Sequence, residues 1–136
     1  MNRCAQLSLA LALAGTLAAL APAPAAAQDG QSLRRNFPQN ALRGKIVFGM
    51  PPVITMNGNV TRMGPGYRVH GVDNLLVMSA QLDGYSATVD YTTDVEGHVV
   101  EVWILSSAEI ANPWPVAREE AAAWTFDPIA QTWTKP

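Results

Sequence analysis

The feature that most constrains the fold is a pair of β-type segments in the second half of the chain. Residues 87–93 alternate apolar and polar side chains with a period of two, which is typical of a half-buried strand. Residues 98–105 are mostly β-branched or aromatic, which suits a central strand. The residues between them end in Gly97, which can adopt the positive φ that a tight turn requires. Together these segments predict a β-hairpin.

A second hairpin is predicted around Asn57-Gly58. This pair separates residues 53–56 from residues 59–62, and a type I′ turn needs positive φ at both of its central positions. Further short strands are predicted at residues 45–48, 67–70 and 75–78, of which the last is apolar on both faces. Six to seven short strands at this spacing indicate an all-β fold in residues 41–105, either a small antiparallel β-sandwich or a partly closed barrel.

Residues 106–136 are predicted to form a short helical and aromatic C-terminal arm that packs on the β domain. Ser106 and Glu109 have the spacing of a capping box, which predicts the start of a short helix. Pro115 suits the first position of a second helix. Residues 124–126 and 132–134 flank an Asp-Pro turn, and we expect them to pair as a small terminal hairpin.

Residues 1–27 predict a secretory signal peptide. They combine Arg3 near the start, an apolar run at residues 7–21 and a small-residue cleavage pattern that ends at Ala27. The apolar run is about 15 residues long, whereas a membrane-spanning helix needs roughly 20. We therefore expect an exported protein, located in the periplasm or secreted.

The chain that follows the signal peptide is predicted to be a small domain without disulfides. Cys4 is the only cysteine and lies within the signal peptide, so the stability of the exported chain must come from buried apolar area. Residues 28–40 are polar and show no periodicity, which indicates a flexible lead that joins the fold near Phe37.

Charge and motif content exclude several classes of function. The net charge is −2, and no basic cluster is larger than Arg34-Arg35, which disfavours nucleic-acid binding. The sequence after residue 27 contains no further apolar run long enough to span a membrane. It also lacks a nucleophile elbow, a P-loop and a dinucleotide-binding glycine motif. We therefore expect neither an enzyme nor a cofactor.

Four segments carry a resemblance to a known group of proteins. They are RNFP at 35–38, NLLV at 74–77, VWIL at 102–105 and WTFDP at 124–128. In these segments the chain resembles a family of small, uncharacterised exported proteins of Gram-negative bacteria, which share a signal peptide and a mature chain of this length. The matching residues are of strand, turn and packing type. The resemblance implies one compact exported domain and no particular activity.

One candidate site is a metal centre. His70 and His98 are the only histidines, and the exported chain also carries Met50, Met56, Met63 and Met78. Thioether and imidazole ligands suit copper(I), so a periplasmic copper-handling protein is the alternative function. Against it, the methionines are spread over separate elements, and methionine commonly fills irregular cores.

A second candidate is a pair of carboxylates in a hydrolytic site. Asp90 and Glu101 are expected on neighbouring strands with both side chains facing solvent. The other acidic residues of this region fall at predicted turns, where short acids bond to local backbone; they are Asp73, Asp83, Asp94 and Glu96. A solvated face explains this pattern better than a catalytic site.

A third candidate is a protein-binding surface on the C-terminal arm. Trp114 lies between two prolines, and Trp124 and Trp133 lie near the end of the chain. Such tryptophans can anchor a partner, or they can cover an open edge or face of the sheet. The preferred function is a non-enzymatic binding or interaction module whose partner is another cell-envelope protein.

Overall fold

The computed structural model of the protein describes residues 34–136. The predicted signal peptide and residues 28–33 of the predicted lead lie outside the described residues. The strands are β1 (Leu42–Phe48), β2 (Val53–Met56), β3 (Asn59–His70), β4 (Ser86–Thr93), β5 (Val99–Ile104), β6 (Thr125–Asp127) and β7 (Thr132–Thr134). The helical segments are a 3-10 turn (Ser79–Leu82), α1 (Ser107–Ala111) and α2 (Arg118–Ala123). The predicted all-β class is confirmed.

Strands β1 to β5 close into a barrel. Their order is β1-β2-β3-β5-β4, and β4 returns to pair with β1. Every pairing in the barrel is antiparallel except that of β3 with β5. This is the strand order of the five-stranded Greek-key barrel called the OB-fold. Of the two predicted architectures the chain therefore adopts the barrel and not the sandwich, while β6 and β7 form a separate small sheet.

The predicted hairpins are confirmed. Asn57 and Gly58 join β2 to β3 with φ angles of 52° and 82°, as the turn requires. Strand β4 pairs with β5 in the antiparallel sense, and Gly97 in their connection has a φ of 90°. The terminal hairpin also forms, with Phe126 of β6 opposite Trp133 of β7.

The barrel interior is filled by apolar side chains that recur with a period of two. On β5, Val102 and Ile104 point inward, whereas Trp103 packs on the outside of the barrel. The interior core consists of Ile46, Phe48, Ile54, Met56, Met63, Val69, Val89, Tyr91, Val99, Val102 and Ile104. The core therefore draws on all five strands of the barrel.

A second apolar group, which we call the outer cluster, covers the outside of the barrel at β5. It consists of Phe37, Ala41, Trp103, Leu105, Trp114 and Trp133. The ring of Trp114 meets those of Phe37 and Trp133 edge-on, with centroids 5.6 and 5.9 Å apart. Its indole Nε1 donates a hydrogen bond to the Ala41 carbonyl oxygen at 2.9 Å. Side chains of the C-terminal arm thus pack on the outside of the barrel.

The end of the predicted flexible lead belongs to the fold. Arg35 and Phe37 are both buried. Arg34 donates to the carbonyl oxygen of Ala130 at 2.9 Å, and the Phe37 amide donates to Oε1 of Gln131 at 2.7 Å. The first and last parts of the described chain are therefore held side by side, and the fold begins slightly before Phe37.

The prediction of a buried strand at residues 75–78 is wrong. Only one isolated bridge forms there, between Leu76 and His70, and Leu75, Leu76 and Met78 are exposed. The chain turns at Asn74, whose φ is 64°, and the segment runs beside the end of β3 as a loop. An apolar run bounded by turn signals does not by itself distinguish a buried strand from an exposed loop.

Two further boundaries differ from the prediction. The strands predicted separately at 59–62 and 67–70 form one continuous strand, β3, whose pairing with β5 is irregular between Met63 and Arg68. The capping box at Ser106 forms as predicted, but α2 begins at Arg118 and not at Pro115. Within residues 34–136, no helix combines the length and the apolar character needed to cross a membrane.

Phe48→Ala should lower the free energy of unfolding by about 3–5 kcal/mol, because it opens a cavity in the barrel interior. The Phe48 side chain is 1% exposed, whereas that of its neighbour Val47 is 43% exposed. Val47→Ala is therefore the matched control, with an expected loss below about 1 kcal/mol. Chemical denaturation of the full chain measures both values. Equal losses would contradict the assignment of the inner face of β1.

Candidate binding surface along β3

A concave surface follows β3. It consists of two cavities of about 330 and 400 Å³, which share Tyr67 as a common wall. We call this surface the β3 groove; it is lined by residues 51–52, 62–69 and 76–80 and by His98. OB-fold barrels bind ligands on the face of strands 2 and 3, between the β1–β2 and β4–β5 loops. The β3 groove has the same two loops at its edges, since they supply residues 51–52 and His98, but its lining includes β3 and no residue of β2.

Tyr67 is fixed in the middle of the groove. Its hydroxyl lies 2.6 Å from Oγ of Ser79, which belongs to the 3-10 turn and is itself buried. This hydrogen bond satisfies both hydroxyl groups and connects β3 to the segment that leads into β4. The phenol ring is therefore a rigid divider between the two cavities.

One rim of the groove is an exposed apolar loop, residues 72–78. Val72, Leu75, Leu76 and Met78 are each more than half exposed. The backbone of this 72–78 loop is nevertheless ordered by hydrogen bonds: the Gly71 amide donates to the Leu75 carbonyl, and the Val77 amide to the Val69 carbonyl, both at 2.8 Å. Contiguous exposed apolar side chains on an ordered segment are typical of a contact surface.

Basic side chains lie along β3 in the groove. Arg62 and Arg68 are both exposed. Nε of Arg68 comes no closer than 3.6 Å to Oε1 of Glu101. At the other end, His98 enters the groove from the β4–β5 turn. The groove therefore combines an apolar rim with a modest positive charge.

The two histidines do not form one site. His70 on β3 is the register partner of Trp103, at one end of the β3–β5 pairing. His98 precedes Val99, whose register partner Met63 lies at the other end. His70 stacks on the Trp103 ring with centroids 5.5 Å apart, and its Nε2 lies 3.0 Å from Glu101 Oε1. Its Nδ1 is buried without a hydrogen-bond partner among the described residues.

The methionines are also dispersed. Met56 and Met63 lie in the barrel interior, and Met50 and Met78 are exposed. His98 shares a cavity with Met63. Residues 34–136 therefore do not build a copper(I) site that uses both histidines.

The prediction that Asp90 faces solvent is wrong. Its side chain is fully buried, and its Oδ1 accepts a hydrogen bond from Nε of Arg43, its register partner on β1, at 3.0 Å. Burial raises the pKa of the Asp90 carboxyl, and the hydrogen bond from Arg43 opposes that effect. Asp90 lies opposite Trp103 and Glu101 lies opposite Thr92, so the two acids are not direct partners across the strands.

Sequence reasoning missed a second, partly buried ion pair. The Arg35 guanidinium donates to both carboxylate oxygens of Glu109, at 2.9 and 2.6 Å, and to the carbonyl oxygens of Gly71 and Ile104, each at 2.7 Å. The capping-box glutamate was visible in the sequence, but its long-range partner was not. This pair joins the lead, the barrel and α1.

The prediction that Trp114 and Trp133 anchor a partner is wrong, because both side chains are buried in the outer cluster. They cover the face of the sheet, which was the alternative considered for them. Trp124 is half-buried and lies 4.9 Å from the Lys135 ammonium nitrogen in a cation–π contact. Its role as a partner-binding residue stays a prediction.

Comparison of the chain with protein-family models, with curated proteins and with solved structures finds no match. The case for a function therefore rests on the geometry of the described residues.

Glu109→Gln should destabilise the protein by about 2 kcal/mol at pH 7, because it leaves the buried Arg35 guanidinium without a counter-charge. Burial alone would raise the pKa of the Glu109 carboxyl, but hydrogen bonds from Arg35 and Ser106 outweigh burial and lower the pKa from its ordinary 4.5. The stabilisation that the ionised Glu109 carboxylate supplies is thus present above pH 4.5 and is lost as the pH falls through the lowered pKa.

The measurement is the difference in unfolding free energy between the wild type and Glu109→Gln, recorded from pH 7 to pH 3. The difference should shrink on acidification. Glu119→Gln, at an exposed position of α2, is the control and should show a difference near zero throughout. A difference for Glu109→Gln that does not change with pH would contradict the assigned role of the ion pair.

Proposed function

We propose that the protein is an exported, non-enzymatic binding module that holds an extended, apolar segment of another cell-envelope protein in the β3 groove. The observation that carries the proposal is the row of exposed apolar side chains of the 72–78 loop beside that groove. Location in the periplasm, or secretion from the cell, belongs to the proposal and rests on the signal-peptide pattern of residues 1–27.

The energetics favour a partner with apolar side chains. Complete burial of a leucine side chain contributes about 1.5–3 kcal/mol, and Leu75 and Leu76 are both available for it. The hydrogen bonds that order the 72–78 loop reduce the conformational entropy that binding would otherwise cost. A segment laid along β3 would also meet Arg62 and Arg68, so an acidic residue in the partner would be favoured.

A binding role agrees better with the polar side chains than a catalytic role. Each acid that the sequence offered for catalysis on β4 and β5 is engaged elsewhere: Asp90 with Arg43, and Glu101 with His70. These contacts fix the side chains in the fold and do not direct them to a reacting group.

A polypeptide is favoured over a nucleic acid as the ligand. Barrels of this type that bind single strands combine aromatic stacking platforms with a strongly positive groove. Tyr67 is the only aromatic residue among those that line the β3 groove, apart from the imidazole of His98, and the whole chain has a net charge of −2. Phosphate neutralisation would therefore contribute little.

A photo-crosslinking amino acid in place of Leu76 should capture a specific envelope protein in cells. The same amino acid in place of Ile129, which is also exposed but lies on the β6–β7 turn, is the matched control and should not capture it. Cross-links to the same protein from both positions, to a second copy of this chain or only to lipid would each contradict the proposal.

The Leu75→Asp/Leu76→Asp variant tests the same surface with purified components. Binding to the captured protein should weaken at least about tenfold, since two buried apolar contacts become charged. The unfolding free energy should change by less than about 0.5 kcal/mol, because both side chains are on the surface. Unchanged affinity would show that the 72–78 loop is not the contact.

A further inference from the structure

The β4–β5 turn, residues 94–98, brings three potential metal ligands to one point. Nδ1 of His98 lies 3.3 Å from Oδ2 of Asp94 and 3.3 Å from Oε2 of Glu96. All three ligand atoms lie within 4.8 Å of one another. One imidazole nitrogen thus faces two carboxylate oxygens.

These separations suit ligands around a common ion better than direct hydrogen bonds. A charge-assisted hydrogen bond between nitrogen and oxygen is about 2.7–2.9 Å long. Nitrogen and oxygen ligands about 2.1 Å from a tetrahedral zinc ion are separated from each other by about 3.4 Å. The two 3.3 Å distances from His98 Nδ1 match the spacing of ligands around zinc.

The backbone of the turn holds this arrangement before any ion binds. Oδ1 of Asp94 accepts hydrogen bonds from the amides of Glu96 and His98, both at 2.9 Å. The Asp94 amide in turn donates to the His98 carbonyl oxygen at 2.9 Å. The Asp94 carboxylate is therefore fixed through one oxygen, and the other oxygen is directed towards the imidazole.

An independent observation comes from β3. Gly64 is buried against the turn, and a Cβ atom at this position would lie 3.0 Å from Cγ1 of Val100, 3.2 Å from Oδ2 of Asp94 and 3.3 Å from Cβ of His98. All three contacts are tighter than a side chain normally tolerates. Glycine at this position therefore leaves room for the Asp94 and His98 side chains to converge.

We infer that the β4–β5 turn binds a divalent transition-metal ion, with Zn²⁺ the best match, through Asp94 Oδ2, Glu96 Oε2 and His98 Nδ1. One imidazole and two carboxylates form a ligand set that zinc accepts, and three protein ligands leave a coordination position for water or a further ligand. Copper(I) prefers sulfur ligands, and Ca²⁺ takes oxygen ligands alone. The ligand set differs from the histidine–methionine set that the sequence suggested.

This inference does not depend on the proposed protein-binding function. His98 also lines the β3 groove, so the ion would lie at one end of that groove. Zinc binding can nevertheless be measured in the absence of any partner. A negative result would not bear on partner binding by the 72–78 loop. The two proposals therefore succeed or fail separately.

Zinc titration of the full chain, followed by imidazole NMR signals and by calorimetry, tests the inference. We expect one equivalent of Zn²⁺ to shift the signals of His98 and to leave those of His70 in place, since His70 is stacked on Trp103 away from the turn. His98→Gln and Glu96→Gln should each weaken binding at least about tenfold. Glu119→Gln, which changes an exposed acid on α2, should bind zinc as the wild type does.

Gly64→Ala provides a second variant that retains all three ligands. It should weaken zinc binding because the added methyl group displaces the Asp94 carboxylate. The absence of a His98 shift at one equivalent, or unchanged affinity in Glu96→Gln, would overturn the inference.

Discussion

The structure depends on the burial of strand β5 on both of its faces. Val102 and Ile104 pack in the barrel interior, and Trp103 packs in the outer cluster. The inner face is covered by the other strands of the barrel, whereas the outer face is covered by segments that precede β1 and follow β5. Because the only cysteine is Cys4, apolar area and not a disulfide must supply the stability of residues 34–136.

The parts of the fold that the sequence predicted are those with local causes. The Asn57-Gly58 turn follows from backbone conformations that only a few residue types adopt, and the Ser106 capping box from a spacing of three residues. The pairing of β4 with β5 follows from a short connection between two β-type runs. Each of these features is determined by residues close together in the chain.

The features that were missed have distant causes. Asp90 was expected in solvent because its strand alternates, but the outer cluster covers that face and Arg43 supplies its partner. Trp114 was left open between a partner anchor and a cover of the sheet, because its packing partner Phe37 is remote in sequence. The 72–78 loop and the convergence of Asp94, Glu96 and His98 likewise depend on how β3 passes beside that loop and beside the β4–β5 turn. These parts of the structure were thus beyond prediction from a single sequence.

The contacts between the two ends of the described chain have a consequence for how the molecule assembles. Phe37 and Gln131 are 94 residues apart, yet they share a hydrogen bond. A nascent polypeptide emerges from its amino end, so the barrel strands, complete at Ile104, are all present before the final segment is made. During that interval Trp103 on the outside of β5 lacks the part of its cover that Trp114 and Trp133 supply. A prematurely terminated polypeptide would keep this aromatic face open to aggregation or to a chaperone.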